Sequence, residues 1–374
     1  MGRVPVIGVV IGVIAAVIIG GFIVGHGRKA QRPVEGPPPA PPAAPGPAAQ
    51  RPPSTRSTAR PPRPAARSAE PPRPPADPIR TLVDVLSDPA IESNTRLHQP
   101  KFERDAAGAL KAWRGNNAEA YPFVGADGVQ RVARFALTGG ADANGRARYR
   151  SIAALPEERR NELGLVPTEL VSEAVDLGGG NVLDAVVMSR VPGESLAAHV
   201  LAHADDTIRM SRLADNFARR ISAFDRRQYP FAHGDLQSGN IRVTTSEAVF
   251  FIDYDDVWMP GLTPSTGVGY EEYQHPNRMS VSDWGRYMDT FSATLIHAAL
   301  LCIVNKPELV ELASDVCVLF TEYDLRNPGD SELWSELQHV TDRRALASVH
   351  QLLQWCQQDG PPAVPFDSDL GVWS

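Results

Sequence analysis

The chain has 374 residues, 43 % hydrophobic and 22 % charged, with a formal charge of −7. That composition excludes a wholly disordered protein, and three widely spaced cysteines exclude a disulfide framework or a cysteine zinc site. The charge is unevenly shared: residues 1–78 carry ten Lys/Arg against three Asp/Glu, net +7, and the remainder carries 27 against 41, net −14. In chain order, Val4–Val24 is apolar without a charge, long enough to cross a ~30 Å hydrocarbon core as one helix. A secretory signal would have a shorter apolar region and a small-residue cleavage pattern, whereas this run ends in Gly25-His26-Gly27-Arg28-Lys29. The expectation is an uncleaved anchor within 1–27. Arg28, Lys29, Arg32 and six further arginines down to Arg73 follow it, so the positive-inside bias predicts a single-pass protein of the cell membrane with its C-terminal part cytoplasmic. Residues 28–78 hold 18 of the 34 prolines and almost no aliphatic residues. Such a segment cannot bury enough apolar surface to offset its ordering entropy, and it predicts a disordered, extended linker.

The body begins near Ile79. Leu82, Val83 and Leu86 predict a short helical face, and Tyr121–Val124 and Val129–Leu137 predict strands joined by a turn at Gly125–Gly128. Gly139–Gly145 reads as a loop; Asp142 and Asn144 are spaced as in a calcium loop, but the remaining ligands are missing. A helix over 146–163 is broken at Pro156. Strands at Leu170–Asp176 and Val182–Met188 flank the turn Gly178–Asn181. Thereafter the pattern is helical. Leu213, Phe217, Ile221 and Phe224 form one stripe, the apolar run 283–304 carries too many ionisable groups for a membrane span, and 331–339 and 342–357 complete the series. The cysteines, Cys302, Cys317 and Cys356, sit in apolar helical contexts and read as reduced thiols. The plan is α+β, strands first and helices second.

The chemistry concentrates in HGDLQSGN at 233–240 and DYD at 253–255. Ile241–Val243 and Val249–Ile252 predict an antiparallel hairpin turning at Thr245–Glu247, which sets Asn240 and Asp253 side by side. Two oxygen ligands so placed suit a divalent cation shared with phosphates. Asp235, five residues before Asn240, is placed to accept a proton from an attacking hydroxyl.

These residues resemble the catalytic and metal loops of the protein-kinase-like superfamily, closest to bacterial kinase-like proteins with HGDLQxGN, DYD and YQHP motifs; the last matches Tyr273–Pro276. The resemblance covers roughly 100–357. It implies a two-lobed kinase-like fold, with an N-lobe and its leading helix over 79–191 and a helical C-lobe over 192–374. It also implies ATP and Mg²⁺ as cofactors, Asp235 as base, Asn240 and Asp253 as metal ligands, and phosphoryl transfer to a Ser or Thr hydroxyl. Met188–Leu196 resembles the hinge, where Ser189 and Val191 would hold adenine through backbone groups. Asp289, in the stretch Met288–Ser292, resembles the acid that braces the catalytic loop.

The sequence also departs from that pattern. Arg114–Glu119 supplies one glycine where a glycine-rich loop is expected, and 129–135 contains no Lys for the phosphates. Either Ala133 takes the Lys position, or Val132 and Arg134 face the cleft and Arg134 replaces Lys; the second register is preferred, because an adenine roof needs the valine. Glu157, Glu158 and Glu162 are candidate partners for Arg134. Asp255 stands where many kinases have Gly, and Gly234 where many have Arg. Two rivals to a membrane-anchored kinase follow: a pseudokinase scaffold that binds nucleotide weakly, and a small-molecule phosphotransferase whose acidic face (Glu271, Glu272, Asp283, Asp289) takes a cationic substrate. The acidic body points away from nucleic acid.

Overall fold

The computed structural model describes residues 80–369 apart from 116–117, 137–142, 227, 266, 268, 279–282 and 315. The expected anchor at 4–24, the Pro-rich linker and most of the loop at 139–145 lie outside the described residues. The chain divides between Asp77 and Pro78, and every described residue belongs to the second unit. Among them no helix is long and apolar enough to cross a membrane.

The described chain is mixed α+β. It opens on α1 (Leu82–Ser87), started by a capping box in which Thr81 Oγ1 accepts from the Asp84 amide at 3.1 Å and Asp84 accepts from the Thr81 amide at 3.0 Å. The helix buries Val85 and Leu86, while Val83 faces water. The predicted face was thus misplaced by part of a turn, because Leu82 and Leu86 point inward and bring Val85, not Val83, with them. Next come β1 (Lys101–Phe102), β2 (Trp113–Arg114), β3 (Ala118–Val124) and β4 (Gln130–Ala136). Then α2 (Ala143–Ala153) and α3 (Glu157–Leu163) flank Pro156, and β5 (Thr168–Asp176) and β6 (Val182–Ser189) complete a curled antiparallel sheet. Its order is β1-β3-β4-β6-β5, with β2 paired to β3.

Strand β4 alternates between two environments. Ala133 and Phe135 are buried with Tyr121, Phe123, Val85 and Leu86. Val132 packs on the opposite side, against the larger core. Arg134 shares that side by the period of two.

The larger core holds the helices. After β7 (Glu194–Ser195) come α4 (Leu196–His203) and α5 (Thr207–Ser222); β8 (Ile241–Val243) and β9 (Val249–Phe251) form a second sheet of order β7-β8-β9. The stripe Leu213, Phe217, Ile221 and Phe224 is buried as predicted. It packs in one cluster with Leu295, Ile296 and Leu300 of α6 (Thr290–Asn305) and Leu352 of α9 (Arg343–Cys356); α7 (Glu322–Arg326) and α8 (Glu332–Leu337) lie between them in sequence. Helix α6 starts seven residues later than predicted. Trp284 Nε1 donates to the Asp256 carbonyl at 3.2 Å and Arg286 binds Asp225, so those residues follow turns rather than a helix. The hairpin turn is itself locked, since buried Glu247 receives Arg209 and Arg212 at 2.9 Å each. Cys302 and Cys317 are buried and Cys356 half-buried, all three as free thiols. Burial pushes the Cys302 thiol up to about 12, so it is unreactive at neutral pH.

His297 lies in the middle of α6, enclosed beside Phe366 with ring centroids 5.6 Å apart. Burial, then the charge of Arg344, pushes its pKa down from 6.5 to about 4. The folded chain therefore keeps a neutral imidazole where the unfolded chain takes a proton. Stability is complete above pH 6.5 and declines as pH falls toward 4, by of order 2–3 kcal/mol from this group. His297→Leu is expected to flatten that part of the profile, read as urea midpoints between pH 7 and 4.5.

Candidate functional site

The hairpin β8–β9 positions the motif residues. A tight turn at Ser238–Asn240 delivers the chain into β8, and the Ile252 amide donates to the Asn240 carbonyl at 3.0 Å. Asn240 and the residue before Asp253 are thus backbone neighbours. Asn240 Nδ2 donates to both the carbonyl and Oδ2 of Asp235, each at 2.9 Å. Gln237 Nε2 reaches Oδ2 at 3.2 Å, and the Tyr270 amide donates to Oδ1 at 3.0 Å. Both oxygens of Asp235 are held in place, one of them by the segment that follows the DYD loop.

The loop carrying Asp235 hangs on Asp289, just before α6. The amides of His233 and Gly234 donate to its two carboxylate oxygens, the second at 2.9 Å. Burial raises the Asp289 pKa, opposed by His233, those two amides and Arg278. A buried acid held by two amides is not available to a cationic substrate. His233 in turn places Nε2 3.0 Å from the Ile252 carbonyl, tying the loop to the end of β9. Gly234 is required at its position. Its φ is +86°, and an added Cβ would lie 2.3 Å from the Asp256 carbonyl oxygen and 2.6 Å from Met288 Cε. No arginine fits there.

Asp253 leaves the hairpin at φ +65°, a left-handed conformation that Asp tolerates better than most residues. Its side chain is 40 % exposed, yet Oδ1 is enclosed without a hydrogen-bond partner. Burial, reinforced by Asp255 and Asp235 and opposed by Arg134, pushes its carboxyl up to about 6. A carboxylate oxygen with no hydrogen bond, beside two other acids and with only the Arg134 guanidinium 3.6 Å away, fits a cation ligand.

Arg134 comes from the sheet to the same place, in the second of the two registers open to β4. It forms a two-pronged ion pair with Asp255, one prong at 3.2 Å, and Nη2 lies 3.6 Å from Asp253 Oδ1. Tyr149 of α2 adds its hydroxyl to Asp255 Oδ1 at 2.8 Å. Burial works against the guanidinium charge, but Tyr149, Asp253 and Asp255 outweigh it and raise the Arg134 pKa.

Among the described residues, none of the glutamates considered as partners for Arg134 takes that place. Glu157 and Glu158 are exposed, and Glu162 pairs with Arg159 and Arg226. The reason is the packing of α3: buried Arg159 donates to the carbonyls of Ala223 and Tyr229 at 2.8 Å each, so the helix serves the larger core. The phosphate-loop position is also changed. Glu119 pairs with Arg114 at 2.9 Å and accepts from the Tyr121 hydroxyl at 2.5 Å, which neutralises it. At the hinge position the Ser189 amide donates to the Pro167 carbonyl at 2.9 Å, and Val191 packs against the larger core. An adenine at Ser189 would therefore be left with its carbonyl.

Tyr149, Gln237 and the Tyr270 amide belong to this constellation, and the motifs did not point to them. Only Gln237 lies within a quoted motif; nothing in the spacing of Tyr149 on a highly charged helix signals its target. No protein-family model matches the sequence, and no curated protein matches it.

Gly234→Ala is expected to lower stability by about 2 kcal/mol or more, from strain and the carbonyl clash. Gly329→Ala, where a Cβ meets nothing within 4 Å, is the near-neutral comparison. Urea denaturation of the two variants checks the difference.

Proposed function

We propose that the chain is a membrane-anchored, protein-kinase-like phosphotransferase, its body on the cytoplasmic side, that uses ATP and Mg²⁺ to phosphorylate Ser or Thr hydroxyls. The observation that carries this reading is the convergence of Asp235, Asn240, Asp253 and Arg134, delivered by a strand, a loop and a hairpin of one unit. The motif resemblance supplies the family, and the two-lobed kinase-like plan is part of the proposal. Mg²⁺ would neutralise phosphate charge, with Asn240 and Asp253 as its protein ligands. Asp235 Oδ2 orients an attacking hydroxyl and takes its proton, held for that purpose by Asn240 and Gln237. Arg134 binds phosphate oxygens only by loosening its hold on Asp255.

That last requirement favours a second reading, a pseudokinase scaffold. Arg134 already has a carboxylate partner, both Asp235 oxygens are engaged, and the Ser189 amide is taken. Of the acidic face proposed for a cationic small-molecule substrate, Asp289 is committed to two amides, which leaves Glu271, Glu272 and Asp283 to carry that third reading.

Transfer of the γ-phosphate from labelled ATP to a generic Ser/Thr substrate, by the full-length chain with Mg²⁺, tests the proposal. Asp235→Asn is expected to reduce the rate by about 10²–10⁴-fold. A rate equal to wild type in that variant overturns the mechanism. No transfer, together with no thermal shift at millimolar Mg-ATP, replaces the enzyme by the scaffold.

A further inference from the structure

Outside the cleft, two histidines and a glutamate meet where β7 passes into α4. His199 and His203 stand one helical turn apart with ring centroids 4.6 Å apart. Glu194 Oε1 lies 3.2 Å from His199 Nδ1 and 3.8 Å from His203 Nε2. One donor atom from each of the three lies within 4.8 Å of the other two. Tetrahedral bonds of 2.0–2.1 Å would put ligand atoms about 3.3–3.4 Å apart; the two Glu194 distances are already near that, and the widest pair must close from at most 4.8 Å. His199 is almost completely buried, whereas His203 and Glu194 remain partly open.

We propose that Glu194, His199 and His203 form a binding site for a zinc-class divalent transition ion, with the fourth position toward solvent. The ligand set is neutral imidazole twice and carboxylate once, which suits zinc and its neighbours and not Mg²⁺ or Ca²⁺. A hydrogen bond between Glu194 and His199 would account for one histidine. The second histidine lies beside the same carboxylate oxygen, and its other neighbour is Arg209.

Arg209 is the competing occupant. Its Nη1 lies 3.1 Å from both ring nitrogens of His203, while its Nε holds buried Glu247 at 2.9 Å. A bound ion displaces Nη1 from His203, and Glu247 keeps the rest of the guanidinium in place. The site is also wired to the loop described above. Glu194 pairs with Val243 on β8, and the Ala197 amide in the first turn of α4 donates to Ser238 Oγ at 2.9 Å. An ion joining β7 to α4 would brace residues 238–243 from both sides. This holds whatever the cleft does, because no cleft residue is a ligand.

Titration of the untagged full-length chain with Co²⁺, in excess Mg²⁺, is the test. One Co²⁺ per chain is expected, with the visible absorption of a four-coordinate N/O site, displaced stoichiometrically by Zn²⁺. His203→Ala and Glu194→Gln change partly exposed side chains. Each should weaken binding by more than about 100-fold, beyond the 10–100-fold of outer-shell changes, with the melting temperature of the metal-free protein preserved. Asp253→Asn should bind Co²⁺ as wild type does. A featureless titration, unchanged affinity in both ligand variants, or loss of the signal in Asp253→Asn overturns the site.

Discussion

The ion pair between Arg134 and Asp255 holds the candidate site in its present form. It joins β4 of the curled sheet to the loop that leaves β9, and Tyr149 of α2 closes on the same carboxylate. Arg134 is 15 % exposed and Asp255 39 %. Removing Asp255 would leave a largely enclosed guanidinium, and that outcome is more destabilising than replacing both partners. The two residues are also two of the places where the sequence differs from that of many protein kinases. An arginine stands where a lysine is expected, and an aspartate where a glycine is expected. In the folded chain each departure is the other's partner. A lysine presents a single ammonium and could not match both oxygens of Asp255 as the planar guanidinium does.

The loop around Asp235 obeys a different constraint, steric and not electrostatic. Gly234 passes so close to the Asp256 carbonyl that no side chain fits, which leaves the backbone amides of residues 233 and 234 free to converge on Asp289. At residue 234 the chain presents bare backbone in place of a side chain. The segment after DYD is held instead by the Tyr270 amide on Asp235 and by Ser265 on Asp256. Arg148 Nη2 adds a bond of 2.8 Å to the Thr263 carbonyl in the same segment.

Much of this was legible before any coordinates. The hairpin, the long strands and the stripe on α5 follow from periods of two and 3.6, and the β4 register followed from asking what a roof and a cation need together. The two-residue strands β1, β2 and β7 were not legible, because two residues carry no period. The partner of Arg134 was missed for a tertiary reason. Sequence order suggested the next helix, but α3 turns its buried arginine into the larger core, so its acids face elsewhere. The histidine pair on α4 left only a four-residue spacing, and its glutamate lies in a strand too short to predict.

The net −14 of the body can now be assigned locally. Several acids are neutralised by arginines far from the site, as with Glu247, Asp127, Asp184 and Asp225. Around the hairpin the balance differs: Asp235, Asp253, Asp255 and Asp256 lie within one another's field, with Arg134 beside Asp253 and Asp255 and Arg148 acting on Asp256. A field of that sign repels a free polyphosphate and concentrates divalent cations. Under the phosphotransferase reading, nucleotide affinity must then rise with Mg²⁺, since the ion supplies the positive charge that a glycine-rich loop and lysine would otherwise share. Under the scaffold reading the same field leaves the cleft without phosphate, and Arg134 stays where it is. The divalent-ion dependence of nucleotide binding thus separates the two readings by charge alone, without reference to any family.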